Sequence, residues 1–133
     1  MRTMIEVLVV DDDALMRGLL AEWLSEAGYR VRQAETGSAA LQMLRSQPAG
    51  LLITDMDMPG PDGAQTLGEA RRMLPGLVVI AISGGARDGK RNWAATAREQ
   101  GAARTLAKPF ERQDLLAAVR EVVTGNIPGA AHR

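Results

Sequence analysis

Leu51-Leu52-Ile53-Thr54-Asp55-Met56-Asp57-Met58-Pro59-Gly60 is the stretch that decides how this chain is read. A short apolar run meets a carboxylate, and a turn follows at once. Short apolar runs bounded by turn residues suit strands covered on both faces. Asp55 then stands at the strand's C-terminal edge, and in open α/β sheets ligands bind outside that edge. Three other apolar runs end in the same manner. Val7-Leu8-Val9-Val10 ends in Asp11-Asp12-Asp13. Leu77-Val78-Val79-Ile80-Ala81-Ile82 ends in Ser83-Gly84-Gly85, and Thr105-Leu106-Ala107 ends in Lys108-Pro109-Phe110. One sheet edge would therefore gather an acidic cluster, a lone acid, a hydroxyl and a lysine.

Helical patterns separate these runs. Strands are expected at residues 5–10, 29–34, 51–55, 77–82 and 103–107, with the second suited to an edge. Helices are expected at 14–27, 38–45, 63–74, about 92–100 and 111–123. On the first helix, Leu15, Leu19, Trp23 and Ala27 fall at four-residue spacing, with Leu20 and Leu24 beside them. Trp23 is therefore expected in the core. Asp12 or Asp13 would cap that helix and Gly28 would stop it. Parallel strands need crossover connections, so five strand–helix units imply a five-stranded parallel sheet with helices on both faces. Residues 84–90 read as a glycine-containing loop expected to move, and 125–133 as a frayed tail after a domain spanning 1–124.

The 133 residues fit one domain with a real core, and 46% apolar content makes it globular. Aromatics are only 3%, so that core must be aliphatic. Lys+Arg and Asp+Glu balance at 16 each, which leaves no basic field for nucleic acid. The chain has no cysteine, hence no disulfide and no thiolate metal site. No stretch approaches the ~20 apolar residues of a membrane span, and the start lacks a signal peptide's apolar region. A cytoplasmic protein without a membrane segment is expected.

The edge residues suggest a chemistry. Asp11, Asp12 and Asp13 cannot all be buried cheaply, and like charges near Asp55 destabilise unless a cation compensates. Oxygen-only ligands suit Mg²⁺; helix capping would also account for some of these acids. Asp55 could act as a nucleophile toward a phosphoryl group whose charge is neutralised by metal or cation. Lys108 supplies such a cation. Ser83, with the Gly84 N–H, offers donors to phosphoryl oxygens.

Four segments in this order resemble the receiver domain of two-component response regulators. They are Val9-Val10-Asp11-Asp12-Asp13, the segment from Asp55 through Pro59-Gly60-Pro61-Asp62 to Gly63, Ile82-Ser83-Gly84, and Lys108-Pro109-Phe110. The resemblance covers residues 5–123 and implies a flavodoxin-like sheet of order 2-1-3-4-5. It implies that Asp55 is the phosphoacceptor, charged by a histidine kinase or phosphotransfer protein. Asp11 and Asp12 would hold Mg²⁺ together with Asp55 and the backbone carbonyl of Asp57. Ser83 would follow the phosphoryl group, Lys108 would pair with it, and the Lys108-Pro109 bond would be cis.

Thr105 falls where many receivers place the Tyr or Phe of the switch, and a small side chain cannot fill the same pocket. The fourth helix, fifth strand and last helix would carry the output surface toward a protein target. Arg91, Trp93, Arg98 and Arg104 lie there, although packing against the sheet is the favoured reading of Trp93. Met16, Met56 and Met58 suit packing or lid roles. With no effector segment after the last helix, a stand-alone receiver is expected.

Two other readings remain open. Asp55-x-Asp57 resembles the nucleophile–acid pair of haloacid-dehalogenase-type phosphatases, which place it after their first strand and usually carry a cap domain. That reading predicts turnover of phosphomonoesters, whereas a receiver is not an enzyme of that kind and takes up one phosphoryl group with slow self-hydrolysis. The other is a phosphorylation-independent interaction module.

Overall fold

The computed structural model describes residues 5–57, 63–84 and 93–124. Strands and helices alternate: β1 (Glu6–Val10), α1 (Ala14–Glu26), β2 (Arg30–Ala34), α2 (Gly37–Ser46), β3 (Leu51–Asp55), α3 (Gly63–Met73), β4 (Val78–Ser83), α4 (Trp93–Glu99), β5 (Arg104–Ala107) and α5 (Arg112–Thr124). All neighbouring strands pair in parallel, in the order β2-β1-β3-β4-β5. The expected fold class, strand order and edge position of β2 are present.

Alternation along each strand divides the core in two, because successive side chains leave opposite faces. Val7, Val9, Ile53, Ile80 and Ile82 face α1 and α5, packing with Leu20, Leu24, Leu115 and Val119. Leu8, Val10, Leu52, Val79 and Ala81 face α2, α3 and α4, packing with Leu44, Leu67, Ala70 and Ala97. Both clusters are almost wholly aliphatic at their centres, as the scarcity of aromatics requires.

The helix ends follow local chemistry. Asp13 caps α1, its side chain accepting from the N–H groups of Leu15 and Met16 at 3.0 and 3.4 Å. Thr36 caps α2 through the Ala39 N–H at 3.0 Å. Gly28 follows α1 at φ +101°, a left-handed conformation that costs other residues more.

The α1 stripe differs from expectation. Leu15 is 86% exposed and Leu19 40%, while Leu20 and Leu24 are fully buried and Trp23 is half-buried against the core. Adjacent helix residues lie about 100° apart around the axis. Centring the buried face on Leu20 and Leu24 therefore turns Leu15 and Leu19 outward. Ala27, also assigned to the stripe, is exposed at the C-cap.

Residues 85–92, Met58 and the tail 125–133 lie outside the described residues, and so do the expectations for the loop, for Arg91 and for the fraying. Among the described residues no helix is long and apolar enough to cross a membrane.

Candidate functional site

Strand register aligns the chemistry. Val10 pairs with Thr54, Asp55 with Ile82, and Ser83 with Ala107. Asp11, Asp55, Ser83 and Lys108 therefore leave neighbouring strands at one edge. The Met56 N–H donates to Ile82 O at 2.7 Å and the Lys108 N–H to Ser83 O at 2.9 Å, which ties the strand exits together.

Asp11 and Asp55 are 1% and 3% exposed, whereas Asp12 faces solvent. One carboxylate oxygen from each of the three lies within 4.8 Å of the others. Asp11 Oδ1 accepts from the Asp13 N–H at 2.9 Å, but Asp11 Oδ2 is buried without a hydrogen-bond partner. Lys108 Nζ stands 3.9 Å from that oxygen and 3.5 Å from Asp55 Oδ1. The Arg17 guanidinium donates to the Asp11 carbonyl at 2.7 Å, fixing the turn out of β1.

Burial, aided by the neighbouring Asp55 charge, pushes the Asp11 carboxyl from 3.8 up to about 6. The Asp13 N–H and Lys108 oppose that rise without cancelling it. A divalent cation fits these residues: the donors are all oxygen, one buried oxygen lacks a partner, and one ammonium faces two buried acids.

Asp57 holds a position the sequence reading missed. Its N–H donates to Asp55 Oδ1 at 3.1 Å. Its carboxylate turns toward β4, where Oδ1 accepts from Ser83 Oγ and Oδ2 from the Gly84 N–H, each at 2.7 Å. The receiver resemblance implied mainly a backbone role for Asp57, and the phosphatase reading a general acid. The signal available was its place two residues past Asp55, opposite a Ser-Gly at the next strand's end.

The remaining expected residues divide. Ser83 is fully buried at the edge, and the Lys108-Pro109 bond is cis. Thr105 lies within β5 opposite Ala81, half-buried and set back from the edge. Trp93 packs half-buried on the α2–α3–α4 face. Arg98 is exposed, but Arg104 is ion-paired with Glu121 of α5, so it ties β5 to α5 and is not a free surface cation. Met56 is buried in the α2–α3–α4 cluster, and Met16, within α1, packs half-buried against the cluster on the α1–α5 face.

The family model of the response regulator receiver domain matches residues 7–120. The response regulator FleR of Pseudomonas aeruginosa is 38% identical over 126 residues, 94% of this chain but 26% of its own. The transcriptional regulatory protein GlrR of Escherichia coli is 32% identical over 96% of this chain and 28% of its own. The chain thus spans about a quarter of those relatives. The receiver protein CpdR of Brucella abortus is 32% identical, with 88% of this chain covering 95% of it.

Among solved structures, a CheY-like receiver domain protein from Methanospirillum hungatei superposes with a TM-score of 0.85. It is 25% identical, over 92% of this chain and 96% of its own. The receiver domain of NtrX from Brucella abortus gives 0.81 at 30% identity, over 89% and 98%. The edge chemistry, the strand order and these similarities agree, and the chain belongs to the response regulator receiver domain family.

Proposed function

We propose that this domain is a phosphorylation switch in which Asp55 accepts a phosphoryl group from a histidine kinase or phosphotransfer protein. The observation that carries this reading is the setting of Asp55. It is nearly buried, with Lys108 Nζ 3.5 Å away, acids on the β1 side and two donors at the end of β4.

An Asp55 carboxylate oxygen forms the new O–P bond as the P–N bond to the donor histidine breaks. The bonding pair returns to the imidazole nitrogen, which takes a proton from solvent. Lys108 offsets charge on the incoming group. Asp11, Asp12, Asp55 and the Asp57 carbonyl would hold Mg²⁺. That ion neutralises the clustered carboxylates and the phosphoryl oxygens when bound. Ser83 Oγ and the Gly84 N–H would then pair with phosphoryl oxygens, so phosphorylation favours whichever conformation brings them there.

The proposed output surface comprises α4, β5 and α5, presented to a protein target in the cytoplasm, with Thr105 as a switch position. A receiver domain at residues 1–124, with residues 125–133 outside it, is part of the same proposal. The Asp57 carboxylate is held by two donors from β4, which supports an acceptor over a phosphatase needing that residue as general acid.

Intact mass after incubation with acetyl phosphate and Mg²⁺ tests the reading on wild type and Asp55→Asn. A metal-dependent gain of one phosphoryl group, absent in the variant, is the expected result. No gain, together with no binding of beryllofluoride, would leave an interaction module that works without phosphorylation.

A further inference from the structure

We propose that Asp57 is a built-in competitor of the phosphoryl group: its carboxylate holds Ser83 Oγ and the Gly84 N–H until phosphorylation displaces it. The inference rests on Asp55 being the phosphoacceptor and adds a regulatory residue to that site.

The two Asp57 oxygens divide their work. Oδ1 takes the Ser83 hydroxyl and Oδ2 takes the Gly84 N–H, both at 2.7 Å. Hydrogen bonds to an ionised acceptor are shorter and roughly twice as strong as neutral ones. The hydroxyl and the amide are also the donors that end β4 beside Asp55. A phosphoryl group on Asp55 presents oxygens to the same pair. Each donor has one proton to direct, so carboxylate and phosphoryl oxygens compete for it.

Neighbouring geometry supports the competition. The Asp57 N–H is already bonded to Asp55 Oδ1 at 3.1 Å, so one residue touches both the acceptor and the donors. Gly84 brings its backbone close to the Asp57 carboxylate and to the Lys108 stem. A Cβ built there would lie 3.8 Å from Asp57 Oδ2 and 3.8 Å from Lys108 Cβ. The carboxylate and the Lys108 stem therefore both border Gly84. In the unphosphorylated chain it supplies two anionic oxygens where a phosphoryl group would later supply its own.

Two arrangements follow, one with the donors on Asp57 and one with them on the phosphoryl group. A ligand shifts such an equilibrium only by its differential affinity for the two. Part of the free energy of phosphoryl binding is then spent displacing Asp57. The consequence is a weaker switch per phosphoryl group: a fraction of the phosphorylated chains keeps Ser83 and Gly84 in the Asp57 arrangement.

Substitution by alanine separates this role from any backbone contribution to a metal, because the main-chain carbonyl remains. The test is beryllofluoride affinity at saturating Mg²⁺, titrated by fluorine NMR, with Mg²⁺ affinity measured separately in each variant. Asp57→Ala is expected to bind beryllofluoride about tenfold more tightly than wild type, equal to ~1.4 kcal/mol. Asp57→Asn should fall between them, since its amide oxygen can replace only one acceptor. In a Ser83→Ala background the gain from Asp57→Ala should shrink, because one contested donor is gone. The Gly84 amide proton of the metal-free protein should move upfield in Asp57→Ala.

Equal or weaker binding by Asp57→Ala, with wild type still binding, would overturn the competitor role and leave the phosphoacceptor reading standing. A gain undiminished without the Ser83 hydroxyl would identify general charge repulsion and overturn it too. If neither wild type nor Asp57→Ala bound beryllofluoride, both readings would fall together.

Discussion

Lys108 Nζ stands 3.5 Å from Asp55 Oδ1, at the end of the outermost strand on that side of the sheet. The same ammonium is 3.9 Å from Asp11 Oδ2, so one cation serves two buried acids. Removing one partner of a fully buried pair costs ~3–5 kcal/mol. The Lys108 side chain is 25% exposed, and solvent screens part of that loss. Lys108→Met is therefore expected to destabilise the metal-free protein by about 1–2 kcal/mol near neutral pH. It should also weaken beryllofluoride binding at saturating Mg²⁺. Urea denaturation and the titration measure the two effects, and unchanged stability would mean that the lysine does not compensate the acids.

Asp11 sets a pH dependence whose sign can be worked out. Its carboxyl is raised from 3.8 to about 6 by burial and by the charge of Asp55, against the opposing Asp13 N–H and Lys108. The folded protein thus binds this proton more tightly than the unfolded chain does. The associated stability is fully present below the unfolded value and is lost as pH rises through about 6. The whole effect amounts to at most ~3 kcal/mol. Asp11→Asn should therefore be more stable than wild type at neutral pH without Mg²⁺. The difference should shrink toward about pH 4, where both side chains are neutral. Added Mg²⁺ should stabilise wild type more than the variant, since a ligand of the folded state stabilises by mass action. Denaturation curves at two pH values, with and without Mg²⁺, measure all three.

The site was legible because each apolar run ends in a residue with its own chemistry. Parallel pairing then brings all the C-terminal ends to one edge. The runs pointed to the shared edge; the register that sets Asp55 against Ile82 and Ser83 against Ala107 comes from the structure alone. What escaped depended on contacts between distant segments. Leu15 and Leu19 fit a four-residue stripe as well as Leu20 and Leu24 do. Packing of α1 against β1, β3 and α5 selects the latter pair. The Glu121 partner of Arg104 lies 17 positions along the chain, and only the approach of α5 to β5 brings them together. The partners of the Asp57 side chain, Ser83 and Gly84, lie 26 and 27 positions along the chain, and only the pairing of β3 with β4 brings them together.

Gly63 positions the backbone that carries Asp55. It opens α3 and is buried, and a Cβ built on it would lie 2.5 Å from Met56 Cα and 2.6 Å from Asp55 O. Both atoms belong to the main chain, so no side chain can swing aside to make room. Either α3 must retreat or the exit of β3 must shift, and overpacking of this kind costs about 1–3 kcal/mol. Gly63→Ala is expected to lose stability in that range and to bind Mg²⁺ more weakly, because Asp55 and the Asp57 carbonyl flank the displaced atoms. Gly18→Ala is the control. It sits on the exposed side of α1 with nothing within 4 Å of the added carbon, and it should stabilise by roughly 0.5–1 kcal/mol through helix propensity. Urea denaturation and Mg²⁺ titration of the two variants separate a local effect from a general one. If Gly63→Ala matched wild type in both, the start of α3 would not hold Asp55 in place, and the aligned strand exits alone would have to do so.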